Sequence, residues 1–333
     1  MRPFPNLFRA MSPDAPRILL VKTSSLGDVL HNLPVVTDIM RHYPHAQIDW
    51  LVEEGFYALP KLHPAVRRVI PVAVRRWRKK LWQAATWREM IGLGQVLRQQ
   101  HYDFVIDTQG LIKSAWLARQ AHGLRCGFDQ HSAREALAAH SYQRTFAVSK
   151  GQHAVERNRQ LVAQALGYEL DTHADYGIHP PAVPAPAWLP AEKYVVLLHA
   201  TSRDDKLWEE ARWVELATRL QQQGYVSVLP WGSATEQARS QRLAAHIPHA
   251  VTPPKLDLLT LAALLGGAHA VVGVDTGLAH LAAALDRPTI GIYTSTDPVL
   301  TGLHAGARAH NLGGIAQSPS VDTVWNSLSA MLS

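Results

Sequence analysis

A β-branched apolar run, Val271-Val272-Gly273-Val274, stops at Asp275-Thr276-Gly277 and passes straight into helical spacing of apolar residues, and a second such run starts at Thr289. Strand, tight turn, helix and strand in this succession is the grammar of an α/β sheet, and wherever it recurs it narrows the fold to that class. It sets a helix N-terminus at the carboxyl end of a strand. The backbone N–H groups of Thr276, Gly277 and Leu278 point outward there with the helix dipole behind them, and Gly277 lets an anion approach the main chain. A phosphate is the natural guest. For one such turn alone, helix capping by Asp275 is the plainer account; a matching turn in the other half of the chain shifts the balance.

That half opens with a strand expected from Arg17 to Lys22, a loop holding Thr23, Ser24, Ser25 and Gly27, and a helix beginning near Asp28 with Pro34 in its first turns. The segment 102–114 repeats the pattern with Gly110 at the turn, followed by a helix from Leu111 to Ala121 that Gly123 ends and another over 153–167 closed by Gly167. Pro180, Pro181, Pro184, Pro186 and Pro190 then sustain neither helix nor ladder, which reads as an interdomain linker. The grammar restarts with a strand over 194–199. Its loop offers Thr201, Ser202, Arg203 and Lys206 as donors for a diphosphate, although Asp204 and Asp205 are also placed to pair with Lys206 as a surface cluster. A helix from about Glu209 to Gln223 and a strand ending at Gly232 follow. Glu236, early in the next helix, suits two ribose hydroxyls or simply the helix dipole. The expected organisation is a loose tail over 1–16, a first doubly wound α/β domain over 17–178, a linker over 179–192 and a second such domain over 193–333, with the last helix a candidate to pack back on the first.

Two site-bearing halves fit a soluble enzyme. The 333 residues are 47% hydrophobic without an uninterrupted spanning run, and the N-terminus lacks a leader's apolar core, with Met11 a second candidate start. One cysteine, Cys126, excludes a disulfide framework and points to a reducing compartment, and no Cys/His spacing resembles a zinc site. A net charge of +6 calls for a polyanionic partner: nucleic acid, an anionic membrane surface or a phosphorylated substrate. Much of it lies in Arg75, Arg76, Arg78, Lys79 and Lys80, beside Trp77, Trp82 and Trp87, a composition suited to a lipid or sugar surface as well as to a solvated loop. Neither Gly-x-Gly-x-x-Gly nor Gly-x-x-x-x-Gly-Lys follows these strands, which argues against a dehydrogenase or a phosphate-loop enzyme.

The runs Val21-Lys-Thr-Ser-Ser-Leu-Gly-Asp28, Arg75-Arg-Trp-Arg-Lys79, Thr201-Ser-Arg-Asp-Asp-Lys206, Leu229-Pro-Trp-Gly232 and Val274-Asp-Thr-Gly-Leu-Ala-His280, in this order and spacing, resemble glycosyltransferase family 9, the lipopolysaccharide heptosyltransferases. The resemblance runs from Arg17 onward. Ser202 stands where relatives often carry threonine, and Leu207 where they often carry a polar residue. It implies a GT-B fold, two Rossmann-like domains facing across a cleft, and inverting transfer of L-glycero-D-manno-heptose from ADP-heptose to the Kdo of Kdo–lipid A at the cytoplasmic face of the inner membrane. It further implies Asp28 as general base. Lys206, Thr201, Ser202, Thr276 and Gly277 would meet the leaving diphosphate, Asp275 the heptose hydroxyls and Glu236 the ribose, with His280 near the phosphates or packed as a core residue. Lys22, Ser25, Gly27, Arg75, Arg76, Arg78, Lys79 and Arg134 would serve the acidic acceptor. No cofactor or metal is expected. The alternatives are addition of the second heptose, which would share the donor loops and differ in the basic segment, and a basic nucleic-acid-binding α/β protein, against which stands the lack of any recognised nucleic-acid module.

Overall fold

The computed structural model describes residues 15–170, 173–201 and 203–332. Most of the expected tail and Ser202 fall outside the described residues. The chain divides into two compact units between Gly177 and Ile178.

In the first unit the order is β1 (Arg17–Val21), α1 (Leu26–Leu30), α2 (Leu33–His42), β2 (Gln47–Glu53), β3 (Val66–Val72), α3 (Val74–Trp77), α4 (Ala84–Arg98), β4 (His101–Asp107), α5 (Ile112–Ala118), β5 (His122–Phe128), β6 (Arg144–Phe146) and α6 (Ala154–Leu166). The second runs β7 (Tyr194–Leu198), α7 (Glu210–Gln222), β8 (Val226–Val228), α8 (Ala234–Ala244), α9 (Leu258–Gly267), β9 (Ala270–Val274), α10 (Gly277–Ala284), β10 (Thr289–Tyr293), α11 (Pro298–Thr301), β11 (Ala309–Gly313) and α12 (Val321–Leu332).

The first sheet has strand order β3-β2-β1-β4-β5-β6 and the second β11-β10-β9-β7-β8, with every pairing parallel. A single parallel bridge from Val228 to Val251 stands where a third strand would flank β8, so the second sheet repeats the order of the first with one strand reduced to one residue. In both, the order reverses beside the first strand, between β1 and β4 and between β7 and β9. Loops at that reversal splay apart and open a crevice at the carboxyl ends of the strands. The doubly wound α/β class expected from the alternation is thus present twice.

Central strands β7, β9 and β10 are buried at every position, as continuous apolar runs covered by helices on both faces should be. The second core gathers Val195, Leu197, Val272 and Ile290 against Trp208 and Trp213, which meet edge to face at 5.0 Å, and α12 closes it through Val324 and Leu328. The last helix therefore seats on the sheet of its own unit. The first core joins Leu19, Val21, Leu51, Val105 and Leu117. The proline-rich stretch lies along α9, where a Cβ on Gly266 would come within 2.4 Å of Pro180.

Two local expectations are corrected. The single helix foreseen from Asp28 through Pro34 is two: α1 starts at Leu26 and stops at Leu30, and α2 restarts with Pro34 near its N-terminus. Proline lacks an N–H and would strike the carbonyl four residues back, so the chain breaks at His31 and Asn32. Gly123 does not end a helix but lies inside β5 at φ +151°, and a Cβ there would sit 2.5 Å from the Tyr102 carbonyl oxygen. Gly123→Ala is expected to destabilise the protein by roughly 2–3 kcal/mol, read as a lowered urea midpoint at unchanged slope. A wild-type midpoint would mean that β4 and β5 part without cost.

Candidate functional site

At the carboxyl end of β1 the chain turns through Thr23 and Ser24, whose N–H groups both donate to Gln109 Oε1, at 3.1 and 3.2 Å. The turn after β4 that carries Gln109 is shaped by Asp107, which accepts from the backbone N–H of Gln109 (2.8 Å) and Gly110 (3.2 Å) and from the Tyr142 hydroxyl (2.7 Å). Gly127 makes room for that tyrosine, since a Cβ would fall 2.3 Å from its ring. The two loops at the crevice of the first sheet are thereby locked together.

Asp28 occupies the third position of α1 and accepts from the Ser25 N–H at 2.9 Å and its hydroxyl at 3.3 Å. Arg134 closes on the carboxylate with both terminal nitrogens, Nη1 at 3.3 Å from Oδ2 and Nη2 on Oδ1. Gly110 holds the arginine segment in place by accepting from the Glu135 N–H at 3.0 Å. Burial pushes the Asp28 carboxyl upward, but the charges of Lys22 and Arg134 and the hydrogen bonds from Arg134 and Ser25 outweigh it, leaving the group below the ordinary carboxylate range. Arg134, expected at the acceptor, is seated on the candidate base.

Lys22 was also expected at the acceptor, yet its side chain turns inward. Only 3% exposed, it donates to the Thr108 carbonyl at 2.7 Å and to Asn158 Oδ1 at 3.2 Å. Asn158 sits on α6, which is clamped to α2 by the buried pair Arg159–Asp38 at 2.8 Å. Burial lowers the Lys22 ammonium from 10.5 to about 8, against the pull of Asp28. Its effect on stability has a definite sign. Between about pH 8 and 10.5 the unfolded chain keeps a proton that the folded one has released, so stability from this group rises with pH across that window and its cost is fully present below it. The gain is about 3 kcal/mol at most. Urea unfolding at pH 7.5 and pH 9.5 should show this rise in the wild type relative to Lys22→Met; equal slopes would place the titration elsewhere.

The basic run is divided by the structure. Arg75 donates its N–H to Glu53 Oε1 at 2.9 Å and lies over the Phe56 ring, and Arg76 pairs with Glu54 at 3.2 Å and Glu89 at 3.0 Å. Arg75, Arg76 and Lys79 line a shallow cavity with Glu53 and Glu54, whereas Arg78 faces a different groove together with Lys113. Lys113, not anticipated from the sequence, reaches Ser24 Oγ at 3.2 Å. Cys126 is buried, and burial pushes its thiol up to about 12, so it packs as an inert side chain.

In the second unit the expected donors converge at the crevice between β7 and β9. Lys206 Nζ meets Asp275 Oδ2 at 2.6 Å, Thr201 Oγ1 donates to the Asp275 carbonyl at 2.8 Å, and Thr296 Oγ1 donates to the same carboxylate at 2.8 Å. Asp205 pairs with Arg203, while Lys206 pairs with Asp275. Thr276 leads into α10 with extended backbone and no side-chain cap, and the first N–H groups of that helix face the crevice end of the sheet. His280 is 6% exposed and packs within α10. Glu236 folds back on its own turn and accepts from the Gly232 N–H at 2.7 Å. Thr296, on the loop after β10, went unrecognised although the strand-end grammar places it there. Among the described residues no group of three or more His, Cys, Asp or Glu is arranged to hold a metal ion.

The family described as glycosyltransferase family 9 (heptosyltransferase) matches residues 90–326. Lipopolysaccharide heptosyltransferase 1 of Pseudomonas aeruginosa is 51% identical over 296 residues, 88% of this chain and 83% of that protein. The structure of the E. coli heptosyltransferase WaaC with ADP superposes with a TM-score of 0.87 at 44% identity, covering 95% of this chain and 99% of that one. The same enzyme with ADP-2-deoxy-2-fluoro heptose gives 0.84 at 43% identity over 94% and 99%.

Proposed function

This chain belongs to glycosyltransferase family 9, the heptosyltransferases, and from that premise we propose that it moves L-glycero-D-manno-heptose from ADP-heptose to the Kdo of Kdo–lipid A, inverting the anomeric centre. It is a glycosyltransferase of lipopolysaccharide inner-core assembly with a sugar nucleotide as donor, built on the GT-B fold. The observation that carries the choice of step is the likeness to heptosyltransferase 1, close to half identical across most of both chains.

Asp28 takes the proton as the acceptor hydroxyl attacks C1; the new O–C1 bond forms while the C1–O bond to phosphate breaks and its electron pair leaves with ADP. A carboxylate held as firmly anionic as Asp28 is a weak base, so its proton transfer comes late, as positive charge builds on the sugar. Arg134 orients it, and Lys22 beneath the loop keeps it ionised. In the donor half Lys206, Thr201 and the amides of Thr276 and Gly277 meet the charge developing on the diphosphate, so the reaction draws on no divalent ion. Asp275, already fixed by Lys206 and Thr296, presents its remaining lone pairs to heptose hydroxyls, and Glu236 exchanges the Gly232 amide for the ribose.

The enzyme works at the cytoplasmic face of the inner membrane as a peripheral protein; among the described residues no helix is long and apolar enough to cross a membrane. ADP release should be measured with ADP-heptose and Kdo–lipid A beside an acceptor already bearing one heptose. Turnover with the first alone is expected. Turnover with the second alone would move the enzyme to the next step, and silence with both would withdraw the acceptor.

A further inference from the structure

Between α3, α4 and α5 lies an open groove of about 590 Å³, walled by Trp77, Leu81, Met90, Ile112 and Trp116. Its charged groups are Arg78, Lys113 and Glu135, two cations against one carboxylate, and the Glu135 carboxylate is turned to the Ile112 N–H, from which it accepts at 2.6 Å. Lys113 touches Ser24 on the loop that leads to Asp28, so the groove begins beside the candidate base. Leu81, Ile112 and Trp116 leave 48%, 50% and 40% of their surface exposed. The apolar surface continues past Leu81, whose carbonyl accepts from Trp87 Nε1 at 2.8 Å, to Trp82, Trp87 and Ile91, all exposed. A contiguous apolar face of this kind marks a binding surface. With cations fixed beside the reacting loop, it matches an amphiphile whose anionic head sits at the site and whose tail runs away from it.

We infer that this groove seats a hydrocarbon chain of the acceptor, with Arg78 and Lys113 on anionic groups carried by its sugar head. The inference rests on the lipid acceptor proposed above and adds the place where its tail is recognised.

Ile112→Trp fills the groove from a half-exposed position, outside the catalytic loop. Its KM for acylated acceptor should rise about tenfold, the worth of burying two methylene groups, while its KM for the fully deacylated acceptor stays at the wild-type value. Independently of turnover, 11-bromoundecanoate should quench the tryptophan fluorescence of the wild type saturably and that of Ile112→Trp much less, whereas 4-bromobutyrate should quench neither. Equal KM changes on both acceptors, or quenching that the variant leaves intact, would overturn the assignment. Self-association of the wild type in sedimentation that the variant abolishes would give the groove to a second copy instead. No transfer by wild type to either acceptor would be a failure of the acceptor reading, and the quenching arm then decides the groove by itself.

Discussion

Asp28→Ala should lower the rate of heptose transfer by about 10³-fold, within the range for loss of a positioned general base, while the dissociation constant of ADP-heptose moves less than twofold. The two effects separate because Asp28 belongs to the first unit, with Ser25 and Arg134 as its partners, whereas Lys206, Thr201 and Asp275 are gathered in the second. Isothermal titration with donor alone, beside single-turnover kinetics, would show the split. A variant with weakened donor binding and surviving turnover would take the base away from Asp28. The same residue sets the pH profile. Its carboxyl is held below the ordinary value of 3.8, so the acid limb of kcat/KM should fall below that pH, and Arg134→Ala, by removing two hydrogen bonds and a charge, should move the limb upward.

Lys206→Ala should act on both donor affinity and chemistry, raising the dissociation constant of ADP-heptose at least about tenfold and lowering turnover roughly 10²-fold, the scale for one donor to a developing oxyanion. Its ammonium stands 2.6 Å from Asp275, which lies just before the start of α10 at Gly277. Without it the Asp275 carboxylate keeps Thr296 but loses its counter-charge beside an incoming diphosphate, so the loss should exceed that of a surface lysine. Lys206→Arg, which keeps the charge and changes its shape, should recover binding better than turnover. Wild-type rates in Lys206→Ala would remove the residue from the site.

The architecture and the site were legible to different depths. Alternation of apolar runs with strand-end turns is a local signal, and it yielded two doubly wound sheets and the loops at their crevices. Partners far apart in sequence leave no such mark. Arg134 lies 106 residues from Asp28, and nothing in Ser132-Ala133-Arg134-Glu135 tells a carboxylate clamp from an acceptor contact. The inward turn of Lys22 is hidden for a related reason: a lysine closing a strand reads as exposed until an asparagine 136 residues away is found to take its ammonium. Thr296 was within reach, because a hydroxyl just past β10 obeys the rule that singled out Thr201 past β7. The basic run showed its charge but not its direction, since that depends on distant partners such as Glu54 and Glu89, which claim the Arg76 guanidinium.

The outermost strands bear on how this protein behaves in a crowded solution. At one margin of the first sheet β3 carries Arg67, Arg68 and Pro71, and at the other β6 has three residues; in the second sheet β8 is equally short, flanked by the single bridge at Val251. Charge, a missing N–H and brevity each deny a foreign strand a template to lengthen. A protein that carries exposed apolar side chains is in most danger of sticking to its own kind through open sheet margins as its concentration climbs. Three of the four margins are blunted in this way, so in a crowded solution β11, five residues long, is the edge along which another copy could add.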